Sequence, residues 1–340
     1  MVPRLLSTVL VLFFLPETVY AVPVFLENVS ESGGWYDCNK KTKWTWGTKP
    51  DPNNPLNPPV SARPLEYYNL PMDDKLCWAA AASNVLQWWQ DTRSDLASTT
   101  PNGKSATYGV MPQVAQLSIY ETFAKNWTNE GGCVEQAYNW WINGGMLNTY
   151  VYPSTSSTSA PGGYWKELGM TVPSSPTGGA ADNPLFNSYN FHDGNTKSDI
   201  YQTLQNSINR NWGTTLSIGK EGSGHAITMW GYDMDADGNL IAYLTDSDDH
   251  ELGLFRQKVI VKRYTENDYT FCDIYLTSLE GEADVYSNIY AEPGLTGTML
   301  GEIQSFTAPL GNLRVPEPAA GLLSLCGLFL SLCRRRRIPQ

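Results

Sequence analysis

Basic and imidazole chemistry is thin in this chain. Its 340 residues contain only three histidines, and 23 Lys and Arg stand against 34 Asp and Glu, a formal net charge of −11. Setting aside Arg4, Glu17, Glu317 and Arg334 to Arg337, which lie in the two end segments, leaves 18 basic against 32 acidic residues, or −14, on the body. Such a field repels nucleic acid and anionic membrane surfaces, so no nucleic-acid partner is expected. Cysteine is sparse as well. Of six, Cys326 and Cys333 fall in the C-terminal segment, leaving Cys38, Cys77, Cys133 and Cys272. No CxxC and no Cys/His spacing of a metal site occurs, so the sequence calls for no metal and no cofactor. No internal repeat is visible.

The ends read as processing segments. Residues 1–21 carry Arg4, an apolar run from Leu5 to Leu15 and the small-residue site Val19-Tyr20-Ala21, the pattern of a secretory signal peptide. That run is well short of the ~20 residues a spanning helix needs. At the other end, Val315-Pro316-Glu317-Pro318, an apolar run from Ala319 to Cys333 and Arg334 to Arg337 resemble the PEP-CTERM sorting signal of exported bacterial proteins. The resemblance implies an exported, surface-sorted or released protein that is membrane-anchored only through this tail, before processing. The positive-inside rule puts the arginines on the cytoplasmic side and the body outside. The body then spans residues 22–314.

Within it, residues 47–64 are proline-rich and residues 153–189 are dominated by Pro, Ser, Gly and Thr, so both are expected to be loops. Helical periodicity appears over Cys77 to Trp89, Met111 to Trp127, Val134 to Ile142 (stopped at Asn143-Gly144-Gly145) and Lys197 to Asn211. The runs Thr214 to Ile218, Ala226 to Tyr232, Leu240 to Thr245, Leu254 to Arg263 and Tyr269 to Leu279 are β-rich. Helices first and an antiparallel sheet afterwards predict an α+β fold with two faces meeting at a cleft.

Chemistry concentrates at three points. Cys77 follows Asp73-Asp74-Lys75-Leu76 and opens the Ala- and Trp-rich helix, where backbone N–H groups and the positive dipole end favour a thiolate and a developing oxyanion. A small buried cysteine is the alternative. His225, between Gly222-Ser223-Gly224 and the strand Ala226 to Gly231, can project from the sheet to take a thiol proton and return it to a leaving amine. His192 sits in a loop and His250 in an acidic turn. Asp246, at the end of the next strand in Thr245-Asp246-Ser247-Asp248, can fix the imidazole tautomer, and Asp248 shares that edge. The stretch Asp233 to Asn239 begins like a calcium loop but has Leu244 where the bidentate glutamate is required, and reads as a hairpin turn.

Together, Asp73-Asp74-Lys75-Leu76-Cys77-Trp78-Ala79-Ala80 with Asn84 and Trp88-Trp89, Gly224-His225-Ala226-Ile227 with Trp230-Gly231, Asp237-Gly238-Asn239-Leu240 and Thr245-Asp246-Ser247-Asp248 resemble the IdeS/Mac family of secreted immunoglobulin-degrading cysteine endopeptidases. The resemblance implies a papain-like fold, a helical N-terminal half packed on an antiparallel sheet from the C-terminal half. It places the nucleophile on Cys77, the base on His225, the orienting aspartate on Asp246 and a supporting aspartate on Asp248. The segment Gly34-Trp35-Tyr36-Asp37-Cys38-Asn39-Lys40 matches the family's oxyanion-lysine motif, which implies that role for Lys40. A protein substrate follows, and immunoglobulin only by resemblance; a non-catalytic surface binding protein is the alternative. With Cys77 as nucleophile, at most one disulfide can form among Cys38, Cys133 and Cys272. Trp78 stands where the family has a glycine, so a bulky side chain that narrows or reshapes the cleft is expected.

Overall fold

The computed structural model describes residues 22–38, 40, 73, 75–92, 118–127, 129–145, 147, 162–173, 182–191, 195–220, 223–247, 253–266, 269–280 and 298–308. The signal peptide, the proline-rich stretch, Asp248, His192, His250 and the sorting tail lie outside the described residues.

Four helices occur among the described residues: α1 Cys77–Thr92, α2 Ser118–Asn126, α3 Val134–Asn143 and α4 Lys197–Asn209. The alanine run of α1 supplies helix propensity at no side-chain entropy cost, and every residue from Trp78 to Gln90 is buried. The C-terminal stop of α3 is Gly144, whose φ of 77° is open to glycine and whose N–H caps the carbonyls of Asn139 and Trp140. At its start α4 carries a capping box, Thr196 accepting from the Asp199 N–H while the Asp199 carboxylate accepts from the Thr196 N–H. Indoles fill the space among α1, α2 and α3. Trp78 stands edge-on to Trp127 and Phe123, and Gln90 Oε1 accepts the indole N–H groups of both Trp141 and Trp165.

Eight strands occur among the described residues: β1 Val24–Phe25, β2 Phe186–Asn190, β3 Gly213–Lys220, β4 Ser223–Met234, β5 Leu240–Thr245, β6 Phe255–Glu266, β7 Tyr269–Thr277 and β8 Thr298–Phe306. The expected papain-like α+β fold is overturned here. Strands β3 to β8 pair antiparallel with their sequence neighbours, and β8 then pairs with β3, so the six close into an antiparallel barrel. Two strands lie outside the ring, β1 on β4 and β2 on β8. Closure comes from β8, which periodicity does not reveal; without it the remaining runs read as an open sheet. A closed barrel removes edge strands that would otherwise template pairing with another chain. The strand β2 also corrects the expectation of a continuous loop over 153–189.

Pleat alternation sorts the two faces of β3, β4 and β8. Gly213, Thr215 and Ser217 pair with Phe306, Gln304 and Glu302, and this face carries α1 and α3: a Cβ on Gly213 would lie 2.3 Å from Val85, and the Tyr138 and Phe306 rings are 4.8 Å apart. The opposite face carries α4, through a 3.0 Å hydrogen bond between Ser207 Oγ and Ser305 Oγ.

Candidate active site

A buried polar pair sits on β4 and just past the end of β5. His225 Nε2 and Asp246 Oδ1 are 2.6 Å apart, with the His225 side chain 6 % and the Asp246 side chain 3 % exposed. The local reason is the register. The β4–β5 ladder starts at the hairpin and ends at the Thr228–Thr245 rung, so among the described residues no strand pairs with β4 from Ser223 to Ile227 on that side. Asp246 is the first residue past the rung and fills the opening. Continued alternation gives it the parity of His225, and a diagonal contact results.

The hairpin itself is the Asp233 to Asn239 stretch. Asp235 Oδ1 accepts from the backbone N–H groups of Asp237 and Asn239, and Oδ2 accepts from Asn239 Nδ2 and pairs with Lys258 Nζ at 2.7 Å. Desolvation pushes the Asp235 carboxyl up, but the Lys258 and Asn239 hydrogen bonds outweigh it and hold it well below the usual carboxylate range. These acidic residues form a turn, as the sequence implies. Among the described residues no group of three or more His, Cys, Asp or Glu is arranged to hold a metal ion.

The Lys40 segment is bonded both to the end of β5 and to α1. Thr245 Oγ1 donates to the Tyr36 carbonyl at 2.9 Å, the Cys38 N–H donates to Asn84 Oδ1 at 2.9 Å, and the Lys40 N–H donates to the Ser247 carbonyl at 3.3 Å. Lys40 is thus placed backbone to backbone with the residue after Asp246, and its side chain is buried. Asp37 Oδ2 accepts from the Gly253 N–H at 2.9 Å, which fastens the chain beyond the acidic turn to the same segment.

Asn84 ties α1 to β4. Its Nδ2 donates to Thr228 Oγ1 at 3.1 Å, and Gly213, next to the Thr214–Met229 pair, touches Val85 and Trp88. Later residues of α1 therefore lie beside later residues of β4, and the two run side by side in the same sense. From Asn84 back to Cys77 the helix rises about 10 Å at ~1.5 Å per residue, and from Thr228 back to His225 the strand also rises about 10 Å at ~3.3 Å per residue. Cys77, the first residue of α1 and half-buried, is therefore level with His225.

Cys38, Cys77 and Cys133 are in no disulfide. Burial, reinforced by the Glu135 charge, pushes the Cys133 thiol up to about 12. The expected narrowing by Trp78 does not occur, because its ring turns into the indole cluster, is 2 % exposed and donates its N–H to the Glu130 carbonyl at 3.1 Å. Sequence reasoning missed the parts of Asn84, Thr228 and Asp37. The available signal was a lone asparagine inside an otherwise Ala- and Trp-rich buried helix, where an unpaired amide would be costly. No family model matches the chain, and no curated protein matches it.

Proposed function

We propose that the chain is an exported cysteine endopeptidase that cleaves peptide bonds through Cys77, His225 and Asp246. The observation that carries this reading is the buried 2.6 Å His225–Asp246 pair, level with a cysteine at a helix start. With Nε2 against Asp246, this reading gives Nδ1 the part of taking the Cys77 proton. Alternation sends His225 off β4 on the face opposite Thr228, so this reading requires the ring to turn past the edge of β4 toward the α1 start. The thiolate adds to the substrate carbonyl, and the tetrahedral oxyanion is met by N–H groups at the α1 start and by the Lys40 ammonium. Collapse with a proton from His225 to the leaving amine gives a thioester, which water hydrolyses with His225 again as base. Asp248 has its supporting part in the family resemblance alone.

The resemblance to the IdeS/Mac endopeptidases supports the chemistry, and the tail and leader support export. Immunoglobulin-like proteins are the first substrates to try. The full chain and its Cys77→Ala variant are incubated with immunoglobulins and a diverse peptide library, and new termini are identified by mass spectrometry. New termini made by the wild type alone are expected. Equal cleavage by both variants ends the reading; binding without cleavage by either favours the surface binding protein.

A further inference from the structure

Between α3 and β8 the chain brings together one buried and one half-buried carboxyl group. Glu135, in the first turn of α3, is 1 % exposed; its Oε1 accepts from Ser188 Oγ at 2.5 Å, its own N–H and the Cys133 thiol also bear on the carboxyl group, and Oε2 is buried with no hydrogen bond of ordinary geometry. Glu302 on β8 is half-buried and feels the Glu135 charge. Among the described residues no Lys, Arg or His forms an ion pair with either. A buried like-charge pair with an unused acceptor is costly unless a positive partner arrives. The pair also adjoins the Cys77 site. The segment leading into α3 lies against Trp78, the residue after Cys77: the Glu130 carbonyl accepts its N–H, and a Cβ on Gly132 would lie 2.5 Å from its ring. On the sheet, Ser217 pairs with Ala226, the residue after His225, on one side and with Glu302 on the other. At ~4.8 Å per strand this puts Glu302 about 10 Å from β4, on the helix-bearing face.

We propose that Glu135 and Glu302 form a subsite for a cationic side chain, lysine or arginine, of the polypeptide bound at Cys77. The inference rests on the endopeptidase reading for the bond cut, but its ligand chemistry comes from the carboxylates alone. Glu135 Oε2 supplies the deep acceptor and Glu302 the half-exposed one, a pair of acceptors suited to the donors of an ammonium or guanidinium group. Burial and the Glu135 charge push the Glu302 carboxyl up to about 8, so near neutrality it largely keeps its proton until a cation displaces it. Ligand binding is therefore coupled to proton release.

The test uses the full chain, Glu302→Gln and Glu135→Gln, each checked for folding by circular dichroism. Paired quenched-fluorescence peptides differ only in carrying lysine, arginine or norleucine at each position around the scissile bond. The expected result is one position at which lysine or arginine exceeds norleucine by about tenfold or more in kcat/KM, with that ratio falling to about one in Glu302→Gln. No such position in the wild type, or a ratio that survives both substitutions, overturns the proposal. If the wild type cleaves nothing, the endopeptidase reading fails by itself. The subsite is then read by calorimetry of the lysine and norleucine peptides on the Cys77→Ala chain in two buffers of different ionisation enthalpy. Binding at least tenfold tighter for lysine, with proton release, sustains the subsite; equal binding sinks it.

Discussion

Asn84 of α1 donates its amide to the Thr228 hydroxyl of β4 at 3.1 Å while accepting the Cys38 N–H at 2.9 Å. One buried side chain thus joins three segments, each of which carries a proposed site residue: Cys77 on the helix, His225 on the strand and Lys40 two residues past Cys38. None of these joints is local in sequence. Asn84 acts through the others and is a positioning residue.

Replacing Asn84 by leucine, similar in size, leaves the Cys38 N–H and the Thr228 hydroxyl without their partner. The expected loss of stability is about 1–3 kcal/mol, read by denaturant or thermal unfolding. In the folded fraction kcat should fall more than KM rises, since alignment and not substrate contact is lost. Asn84→Asp, which keeps the acceptor but not the donor, should fall between the wild type and the leucine variant. Wild-type kcat in Asn84→Leu would show that the clamp does not set the alignment.

The Asp246 contact predicts a separation between two substitutions. Asparagine retains an oxygen for the imidazole N–H, whereas alanine leaves the ring unoriented. Cleavage by Asp246→Ala should fall by about 10²-fold or more, and His225→Ala by about 10²–10⁴-fold, the usual contribution of general acid–base catalysis. Asp246→Asn should lose markedly less than Asp246→Ala. The pH profile of kcat/KM checks the same point, since losing the carboxylate shifts the limb that belongs to the imidazole.

Thiol chemistry separates Cys77 from Cys133, both half-buried. With the Cys133 thiol pushed up to about 12 by burial and by Glu135, its thiolate is rare at neutral pH. Iodoacetamide at pH 7 should carboxamidomethylate Cys77 and abolish cleavage while Cys133 stays unlabelled, as peptide mass mapping will show. Faster labelling at Cys133 would contradict the proposed nucleophile.

What was legible in the chain follows from where polar groups lie. The alanine and tryptophan spacing of Cys77 to Trp89 marks α1 because its buried face is apolar, and Asn143-Gly144 marks the end of α3 because only a left-handed residue closes it. In β8, Glu302 and Gln304 point to the helix-bearing face, where Gln304 is buried and Glu302 half-buried, so the usual alternation of apolar and polar residues carries no usable signal. A register shift between Ser217 and Ile218 opposite Gly301 breaks the period once more. The barrel therefore looked like an open sheet. The β2 sequence Phe-Asn-Ser-Tyr-Asn likewise reads as a polar loop, although Ser188 is buried against Glu135. Cys77, His225, Asp246 and Lys40 could be proposed from the sequence; the clamp that holds their segments could not, because Asn84 has partners 46 and 144 residues away.

Trp78 gives a prediction opposite to the one its sequence position invites. The ring fills the space among Phe123, Trp127 and Gly132 and is 2 % exposed. Trp78→Gly should cost about 3–5 kcal/mol of stability by leaving a cavity and freeing the helix backbone, without admitting bulkier substrates. Unfolding curves and a substrate-size series on the folded fraction check both halves.

The acid pair makes stability depend on pH in a definite sense. Burial first, and the Glu135 charge second, raise the Glu302 carboxyl from its ordinary 4.5 to about 8. Between those values the folded state holds a proton that the unfolded state has released, so unfolding free energy falls as pH rises from about 4.5 to about 8 and levels off above. Glu135, raised by burial in the same direction, adds to the slope. Asp235, held low, acts oppositely and only in acid: its contribution is present above its ordinary 3.8 and is lost below it. Glu302→Gln should therefore flatten the profile between pH 5 and 8, read as denaturant midpoints at unit intervals of pH, and leave the acid limb in place. An unchanged slope in that variant would mean that Glu302 ionises in the folded chain as it does in water.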